Sequence, residues 1–459
     1  MKIAIVGTGY VGLVSGVCLA YKNHQVTCVD LRTEIVEQLN KGIPHIYEND
    51  LQEMLHQVIS NKNFIATADI ATALSQNDII IVAVGTPSEN GEIDLTQIGS
   101  VAKTIGEHIK TSNQYISVVI KSTVVPGTTD SFVKQKIEEF SGKKIGEFGL
   151  GMNPEFLREG NAIEDFLYPD RIVIGSEDDI TKQRLEEIYS PWNCDKIFVN
   201  TRTAEMIKYA NNTVLACLIS LNNELANLSG LLGNIDYNDV VKGISADKRW
   251  SPILNDGTRI TPHITSYFTP GAGFGGSCFP KDVQAIRTQG MNMGLPMKMT
   301  NAVLNVNDDQ ASSSLKILKS KIGSFQNKKI LFLGLAFKPD TDDIRESSAI
   351  KILNHLLKEG CKTEAHDPIA MEHVEKLYPN NSNLSLIKDW KKNVLKADII
   401  IIGTNWKEYL DLLDFDRNNQ LNDKIIFDSK RLFSKNDFVN TDYCTIGYNP
   451  FTVNGKLKI

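Results

Sequence analysis

The seven cysteines, at 18, 28, 194, 217, 278, 361 and 444, include no CxxC pair. Scattered thiols in odd number exclude a disulfide framework and a zinc knuckle, so no metal is expected and a reducing, cytoplasmic compartment is. No apolar run reaches the roughly 18 residues of a membrane span, so no membrane partner is expected. Excess positive charge is also lacking. The 49 basic and 55 acidic residues leave a net charge of -6, which gives no reason to invoke nucleic acid and requires any phosphate to be held locally. Met1-Lys2-Ile3-Ala4-Ile5-Val6 enters a strand pattern at once, so no signal peptide is expected. What is present is the composition of a globular chain, 42% hydrophobic and 23% charged. Its 459 residues exceed one ordinary core and predict two or three domains.

The first apolar run is followed by Gly7-Thr8-Gly9-Tyr10-Val11-Gly12 and a helical stretch to about Lys22. A G-x-G-x-x-G between strand and helix gives a tight turn and offers the helix N-terminus to a pyrophosphate. A second strand, Gln25–Val29, ends in Asp30. A carboxylate there accepts from both ribose hydroxyls and repels a 2′-phosphate, which points to NAD over NADP, with Arg32 nearby as the counter-indication. Gly7, Gly9, Tyr10, Val11, Gly12 and Asp30 are the expected cofactor residues.

Strand-like runs recur at Asp78–Val84 before Gly85-Thr86-Pro87 and at Ile116–Ile120 before Lys121-Ser122-Thr123. In open α/β sheets a ligand lies beyond the carboxyl ends of the strands, which places Thr86 and Thr123 near the nicotinamide half of the cofactor; the residues alone equally fit ordinary turns. In Asn153-Pro154-Glu155-Phe156-Leu157-Arg158-Glu159-Gly160, Pro154 is able to open a helix, setting Glu155 and Glu159 one turn apart as acid and base or as two solvated glutamates. From Thr203 to Leu232 a long helical pattern without proline follows. Lys208 and Asn212, at i and i+4, project together from it, toward one ligand oxygen or into solvent.

The C-terminal third repeats the grammar of the start. Asp398-Ile399-Ile400-Ile401-Ile402-Gly403-Thr404 echoes Asp78-Ile79-Ile80-Ile81-Val82 with its Gly85-Thr86, but the opening strand at 330–333 lacks G-x-G-x-x-G. The expected fold is therefore α/β: two Rossmann-like, doubly wound parallel-sheet domains joined by a long central helix and a small helical domain. Expected boundaries are 1–200, 201–325 and 326–459. Before the second sheet comes Gly271-Ala272-Gly273-Phe274-Gly275-Gly276-Ser277-Cys278-Phe279-Pro280-Lys281-Asp282. Glycines let a ligand approach the backbone, and a lysine beside a thiol favours the reactive thiolate; a buried, inert cysteine is the bland reading of the loop alone.

Six motifs in order, Gly7–Gly12, Gly85–Pro87, Lys121–Thr128, Asn153–Gly160, Gly275–Asp282 and Phe337–Ser348, together resemble the UDP-glucose/GDP-mannose dehydrogenase family essentially end to end. The resemblance implies an NAD-dependent, four-electron oxidation of a nucleotide sugar at C6, from alcohol to carboxylate. Cys278 matches the nucleophile that carries a thiohemiacetal and then a thioester. Lys208, Asn212, Asp282, Glu155 and Thr123 match the other catalytic residues. Lys281, Arg345, Thr86, Thr123 and Glu155 match cofactor contacts. Substrate contacts are implied for Glu155, Phe156, Leu157, Arg158, Glu159, Lys208, Asn212, Tyr267, Phe268, Gly271, Gly275 and Lys338. The first domain then binds NAD, the last a UDP-sugar, and the central helix makes a homodimer. Ser277 and Phe279 resemble the UDP-glucose branch; GDP-mannose and UDP-N-acetylhexosamines are the alternatives within the family. Outside it stand a two-electron hydroxyacid dehydrogenase, which needs no cysteine, and a non-catalytic nucleotide-sugar sensor. Residues 247–266 depart from the family pattern and read as an ordered loop, with Arg249 or Arg259 standing for the arginine that reaches substrate, Arg249 preferred and the partner subunit's pocket its expected target.

Overall fold

The computed structural model describes residues 1–450 of the chain; the end of the expected 326–459 domain, residues 451–459, lies outside the described residues. Contacts divide the chain into two units, Met1–Asn211 with Thr288–Gly294, and Asn212–Arg287 with the chain from Leu295 onward.

The first unit is organised on β1 (Lys2–Val6), β2 (Gln25–Val29), β3 (Phe64–Thr67), β4 (Ile79–Val82), β5 (Ser117–Ile120), β6 (Gly149–Met152), β7 (Arg171–Ser176) and β8 (Asp195–Val199). Their spatial order is β8-β7-β6-β5-β4-β1-β2-β3. All neighbours are parallel except β6 and β7. The order reverses between β1 and β4, which opens a crevice at the carboxyl ends of those two strands. Alternate residues of β1 serve opposite layers: Ile3 and Ile5 pack with Val14 and Val17, while Ala4 and Val6 pack with Val118 and Ile120. A sheet covered on both faces needs apolar residues at every position, which is why its strands read as unbroken hydrophobic runs.

The second unit carries β9 (Lys329–Leu333), β10 (Lys362–His366), β11 (Leu384–Leu386), β12 (Ile399–Ile402), β13 (Ile425–Asp428) and β14 (Asp442–Thr445). The order is β11-β10-β9-β12-β13-β14, parallel throughout. Both sheets thus follow the doubly wound pattern, and the α/β expectation holds. Their first turns differ. After the second strand of the first unit stands Asp30, which lines a cleft. The corresponding Asp367 is fully buried and accepts from the Leu335 and Ala336 amides at 2.7 and 3.0 Å and from Trp406 Nε1 at 3.1 Å. Its carboxylate occupies the turn that a pyrophosphate would need, so the loss of G-x-G-x-x-G is compensated from within.

The central helix runs Thr201–Leu232, about 48 Å at 1.5 Å per residue. Residues 247–266 form an irregular segment that turns back on itself. Leu254 N donates to Thr258 O at 2.8 Å and Ile260 N to Pro252 O at 2.9 Å, closing a short antiparallel turn before a 3-10 helix at His263–Phe268.

Candidate active site

The crevice of the first unit is a cleft of about 650 Å³ lined by Gly7, Thr8, Gly9, Asp30, Arg32, Val84 and Gly85 among others. Gly7 has φ +100°, and a Cβ on Gly12 would stand 2.0 Å from the Gly7 carbonyl oxygen. The helix and loop therefore approach as only glycine permits. A Cβ on Gly9 would meet nothing within 4 Å, and no side chain caps the helix that Gly9 precedes. That leaves the positive helix end to a ligand, and a dinucleotide pyrophosphate fits it. Burial would raise the Asp30 carboxyl; hydrogen bonds from Arg32 and Thr8 outweigh this and hold it at about 2. Arg32 grips both Asp30 oxygens, at 3.0 Å each, so the arginine read as a counter-indication is engaged by the same carboxylate. Tyr10 turns the other way: its hydroxyl hydrogen-bonds Glu48, whose oxygens accept from Gly160 N at 2.7 Å and Ala162 N at 2.8 Å. Glu48 thereby ties the glycine loop to the stretch that carries Glu155, a link the sequence did not disclose.

Residues 153–158 are not helical, so the expected pairing of Glu155 and Glu159 on one helix face is corrected. The amides that a helix would use are taken by side chains: Leu157 N donates to Glu155 Oε2 at 2.6 Å and Arg158 N to Asp165 Oδ2 at 2.8 Å. Freed from a helix, Glu155 reaches Lys208, whose Nζ donates to Oε1 at 2.8 Å; the two side chains are 5% and 4% exposed. Burial works to raise the Glu155 carboxyl, but Lys208, the Leu157 amide and Lys121 together hold it below the usual carboxylate range. Lys208 therefore does not sit in a solvated stripe. Arg158 is engaged by Asp165, and Phe156 lies under Arg171, 4.0 Å from ring centre to guanidinium carbon. Thr86 Oγ1 donates to the Thr123 carbonyl at 3.0 Å, joining the ends of β4 and β5. A buried carboxylate on the central helix, Glu205, accepts from Gly127 N at 2.6 Å and from Thr129 N and Oγ1 at 2.8 and 2.7 Å. Burial, only partly opposed by these donors, pushes it up to about 7.

In the second unit the cysteine loop is held by amide side chains. Asn223 Oδ1 accepts from Gly271 N at 2.8 Å, Gln310 Nε2 donates to Gly271 O at 2.8 Å, and Asn307 Oδ1 accepts from Phe274 N at 2.7 Å. All three are at most 4% exposed. A Cβ on Gly275 would stand 2.3 Å from the Glu346 carbonyl oxygen, so that position is closed to any other residue. Cys278 immediately precedes the helix Phe279–Asn292 and accepts its first bond, from Asp282 N at 2.8 Å. Negative charge developing on its sulfur lies at the positive helix end. Asp282, 1% exposed, accepts from Asn212 Nδ2 at 2.7 Å and pairs with Lys281 Nζ at 2.8 Å. Lys281 is thus directed to Asp282. Cys278 as a residue is half-buried.

The segment that carries Lys338 and Arg345 borders the cysteine loop: Gly276 N donates to Arg345 O at 3.0 Å, and a Cβ on Gly276 would stand 2.9 Å from the Phe337 ring. Phe268 is 3% exposed and packs edge-on against Trp250, with ring centroids 4.8 Å apart, so its side chain serves the core. Tyr267 stands on the same 3-10 helix. Lys338 lies over the Phe337 ring, and Arg345 pairs with Asp343 at 2.8 Å. Arg259 donates to the carbonyls of Ala246 and Ser251 at 2.6 and 3.1 Å, closing the C-terminal end of the helix Tyr237–Ser245. Both bonds come from Nη1 of an exposed side chain. Arg249, with its side chain 84% exposed, pairs with Asp247. The residues that sequence reasoning missed are Glu48, Lys121, Asn153, Glu205, Asn223, Asn307 and Gln310. Lys121 and Asn153 lay inside motifs already singled out; for the others no local signal marked them.

Three family models match in succession: the UDP-glucose/GDP-mannose dehydrogenase family's NAD binding domain over residues 1–193, its central domain over 202–309 and its UDP binding domain over 331–435. The UDP-glucose 6-dehydrogenase AglM of Haloferax volcanii is 36% identical over 445 residues, covering 95% of this chain and 98% of its own. A UDP-glucose 6-dehydrogenase of Rickettsia bellii is 36% identical over 462 residues, covering both chains fully. Among solved structures, a UDP-glucose dehydrogenase from Pyrobaculum islandicum superposes with a TM-score of 0.87 at 34% identity, covering 97% of this chain and 98% of that one. A UDP-D-ManNAc dehydrogenase from Pyrococcus horikoshii gives 0.82 at 25% identity, covering 98% and 100%.

Proposed function

Because the chain belongs to the UDP-glucose/GDP-mannose dehydrogenase family, and so is an NAD-dependent nucleotide-sugar dehydrogenase, we propose that it oxidises UDP-glucose at C6 to UDP-glucuronate. The products are one carboxylate and two NADH per sugar, with water supplying the second carboxylate oxygen. Support for the sugar comes from the full-length likeness to relatives named for UDP-glucose and from Ser277 and Phe279 flanking Cys278. The observation that carries the four-electron reading is Cys278 at the head of a helix, on a glycine loop held by three buried amides. A two-electron hydroxyacid dehydrogenase has no use for it. NAD, when bound, accepts the hydride in each of the two oxidations.

The chain's own residues then act as follows. Lys208 donates to the C6 oxygen and stabilises the negative charge that develops there. Cys278 Sγ adds to the aldehyde carbon, forming a C–S bond that keeps the intermediate on the enzyme through the second oxidation. Asn212 and Asp282, already hydrogen-bonded, fix the polar surroundings of the reacting oxygen. Glu155 removes a proton from the water that attacks the thioester carbon, and the C–S bond breaks to return the thiolate. The other expected site residues keep the binding roles given for them. The test is to mix the protein with NAD and UDP-glucose, GDP-mannose or a UDP-N-acetylhexosamine in turn and count NADH per sugar consumed. Two per UDP-glucose is expected. One per sugar, or activity confined to another nucleotide sugar, refutes the assignment.

The domain reading accompanies this function: NAD binding by 1–200, assembly and the cysteine loop from 201–325, UDP-sugar binding by 326–459. For assembly, Val214, Leu221, Leu225, Leu228 and Leu232 on the central helix are all more than two-fifths exposed and recur at intervals of seven, four, three and four residues. Such a stripe is a helix–helix seam in want of a partner, and a second copy of the chain supplies the same stripe. Replacing Leu225 and Leu228 together by glutamate is expected to convert a dimer to a monomer in sedimentation or light scattering; an unchanged mass would place the interface elsewhere. A cytoplasmic setting suits seven free thiols.

Cofactor choice gives a further expectation. With Asp30→Ala, the kcat/KM ratio for NADP over NAD should rise about 10- to 100-fold, the size of a lost charged hydrogen bond. Loss of the carboxylate removes the repulsion and also releases Arg32 toward a 2′-phosphate. An unmoved ratio would mean that Asp30 does not face the ribose.

A further inference from the structure

Lys121 has no part in the reaction as derived above, yet it is as deeply buried as Lys208. It follows β5, is 3% exposed, and donates to Asn153 Oδ1 at 2.7 Å. Asn153 is itself fixed on every side: its amide donates to Ile120 O at 2.9 Å, its Nδ2 to Val173 O at 2.8 Å, and its Oδ1 also accepts from Tyr189 at 2.5 Å. Two residues further on stands Glu155. Lys121, Asn153 and Glu155 line one small cavity of about 50 Å³, with Pro154, Phe156, Asp165, Phe166, Arg171 and Tyr189 in its wall. A buried ammonium is costly, and its other partners, the Asn153 carbonyl at 3.5 Å and the Phe166 ring 5.6 Å away, are neutral and do not cancel its charge. Such a group persists when a charge nearby requires it.

We propose that Lys121 is a positioning residue for this reaction: through Asn153 it fixes the Pro154-Glu155 turn, and together with Lys208 it keeps the Glu155 carboxylate ionised for proton abstraction. The inference rests on the functional reading above, in which Glu155 is the base. The charges around the pair are on one balance. Asp165 is engaged by Arg158, and Arg171 stacks on Phe156 and donates to Asn211. Lys208 donates to Glu155 at 2.8 Å, and the charge of Lys121 acts on the same carboxylate. Burial, with Lys208 adding to it and Glu155 opposing, brings Lys121 down to about 8; it remains a cation at neutral pH. A nearby cation favours the ionised carboxylate, so removing it must raise the Glu155 pKa.

The experiment is the pH dependence of kcat for Lys121→Met and Lys121→Arg, with folding followed by circular dichroism. A base must be deprotonated to act, so its pKa appears as the acid limb. Lys121→Met is expected to move that limb up by about one pH unit and to leave KM for NAD and the nucleotide sugar within about threefold. Lys121→Arg keeps the charge and is expected to keep the wild-type limb, whatever its effect on kcat. An unmoved limb in Lys121→Met overturns the proposal. So does a shift in Lys121→Arg, which by itself decides the matter where the methionine variant does not fold. A wild-type protein that oxidises no nucleotide sugar would instead sink the functional reading; an active wild type with an unmoved limb sinks only this one.

Discussion

Cys278→Ser is expected to lower steady-state NADH formation by about a thousandfold or more, the scale on which removal of an enzyme nucleophile is felt. Binding of NAD and of the UDP-sugar should stay within a few-fold. The reason is a division of labour within the loop. Its backbone is held by Asn223, Asn307 and Gln310 and by the close approach of Gly275 to Glu346, none of which involves the sulfur. The serine hydroxyl is isosteric but far less nucleophilic at neutral pH, so the aldehyde carbon is not captured and the second oxidation has no anchored substrate. At most one equivalent of NADH per site should form in a single-turnover measurement. Full steady-state activity in the serine variant would reject covalent catalysis, whatever the sugar.

Glu155→Gln should stall the enzyme later, after the chemistry of both oxidations. The expected record is a burst approaching two NADH per site, then a steady rate lowered by about 10²- to 10⁴-fold, the range for losing a general base. Intact mass spectrometry should find the stalled protein heavier by one uronyl-nucleotide group, held as the thioester on Cys278. A second consequence comes from burial. The glutamine keeps a hydrogen-bond acceptor but removes the negative charge that faces the Lys208 ammonium at 4% side-chain exposure. Breaking a buried pair on one side costs about 3–5 kcal/mol, so the thermal midpoint should also fall. The two effects separate cleanly: a destabilised but folded variant still shows the burst, whereas one misplaced as a whole shows none. Steady-state turnover at the wild-type rate would remove Glu155 from the hydrolytic step.

These two residues illustrate different routes from sequence to site. Cys278 could be singled out because its neighbours in the chain, Gly275, Gly276, Lys281 and Asp282, carry the signal within a few positions. Glu155 was also singled out, but with the wrong companion. The proline before it suggested a helix that would have matched it with Glu159. That prediction fails because the Glu155 and Asp165 carboxylates compete successfully for the amides of Leu157 and Arg158, a local contest that depends on Asp165 returning from the following helix. The arginines of the 247–266 segment show the same limit. Arg249 and Arg259 look alike in sequence, yet one caps the helix Tyr237–Ser245 and the other lies at the surface on Asp247.

By itself the sequence determined the strands, the glycine turn that opens β1 into its helix, the Asp30 that ends β2, the repeat of that grammar from residue 330, and the glycine loop that carries Cys278. Each depends on side-chain period, on turn chemistry or on residues only a few places apart, and such terms act before the chain has any tertiary shape. Only the tertiary structure decided that Glu155 belongs to Lys208, 53 residues away, that Asn212 belongs to Asp282, 70 residues away, and that Lys121 reaches Asn153 across 32. It also decided that Asp367, the counterpart of Asp30, turns inward to fill its own loop. A buried charge has no preferred partner in the extended chain. It acquires one when desolvation makes every unpaired group costly, and which group is then within reach is set by the order of strands in the sheet.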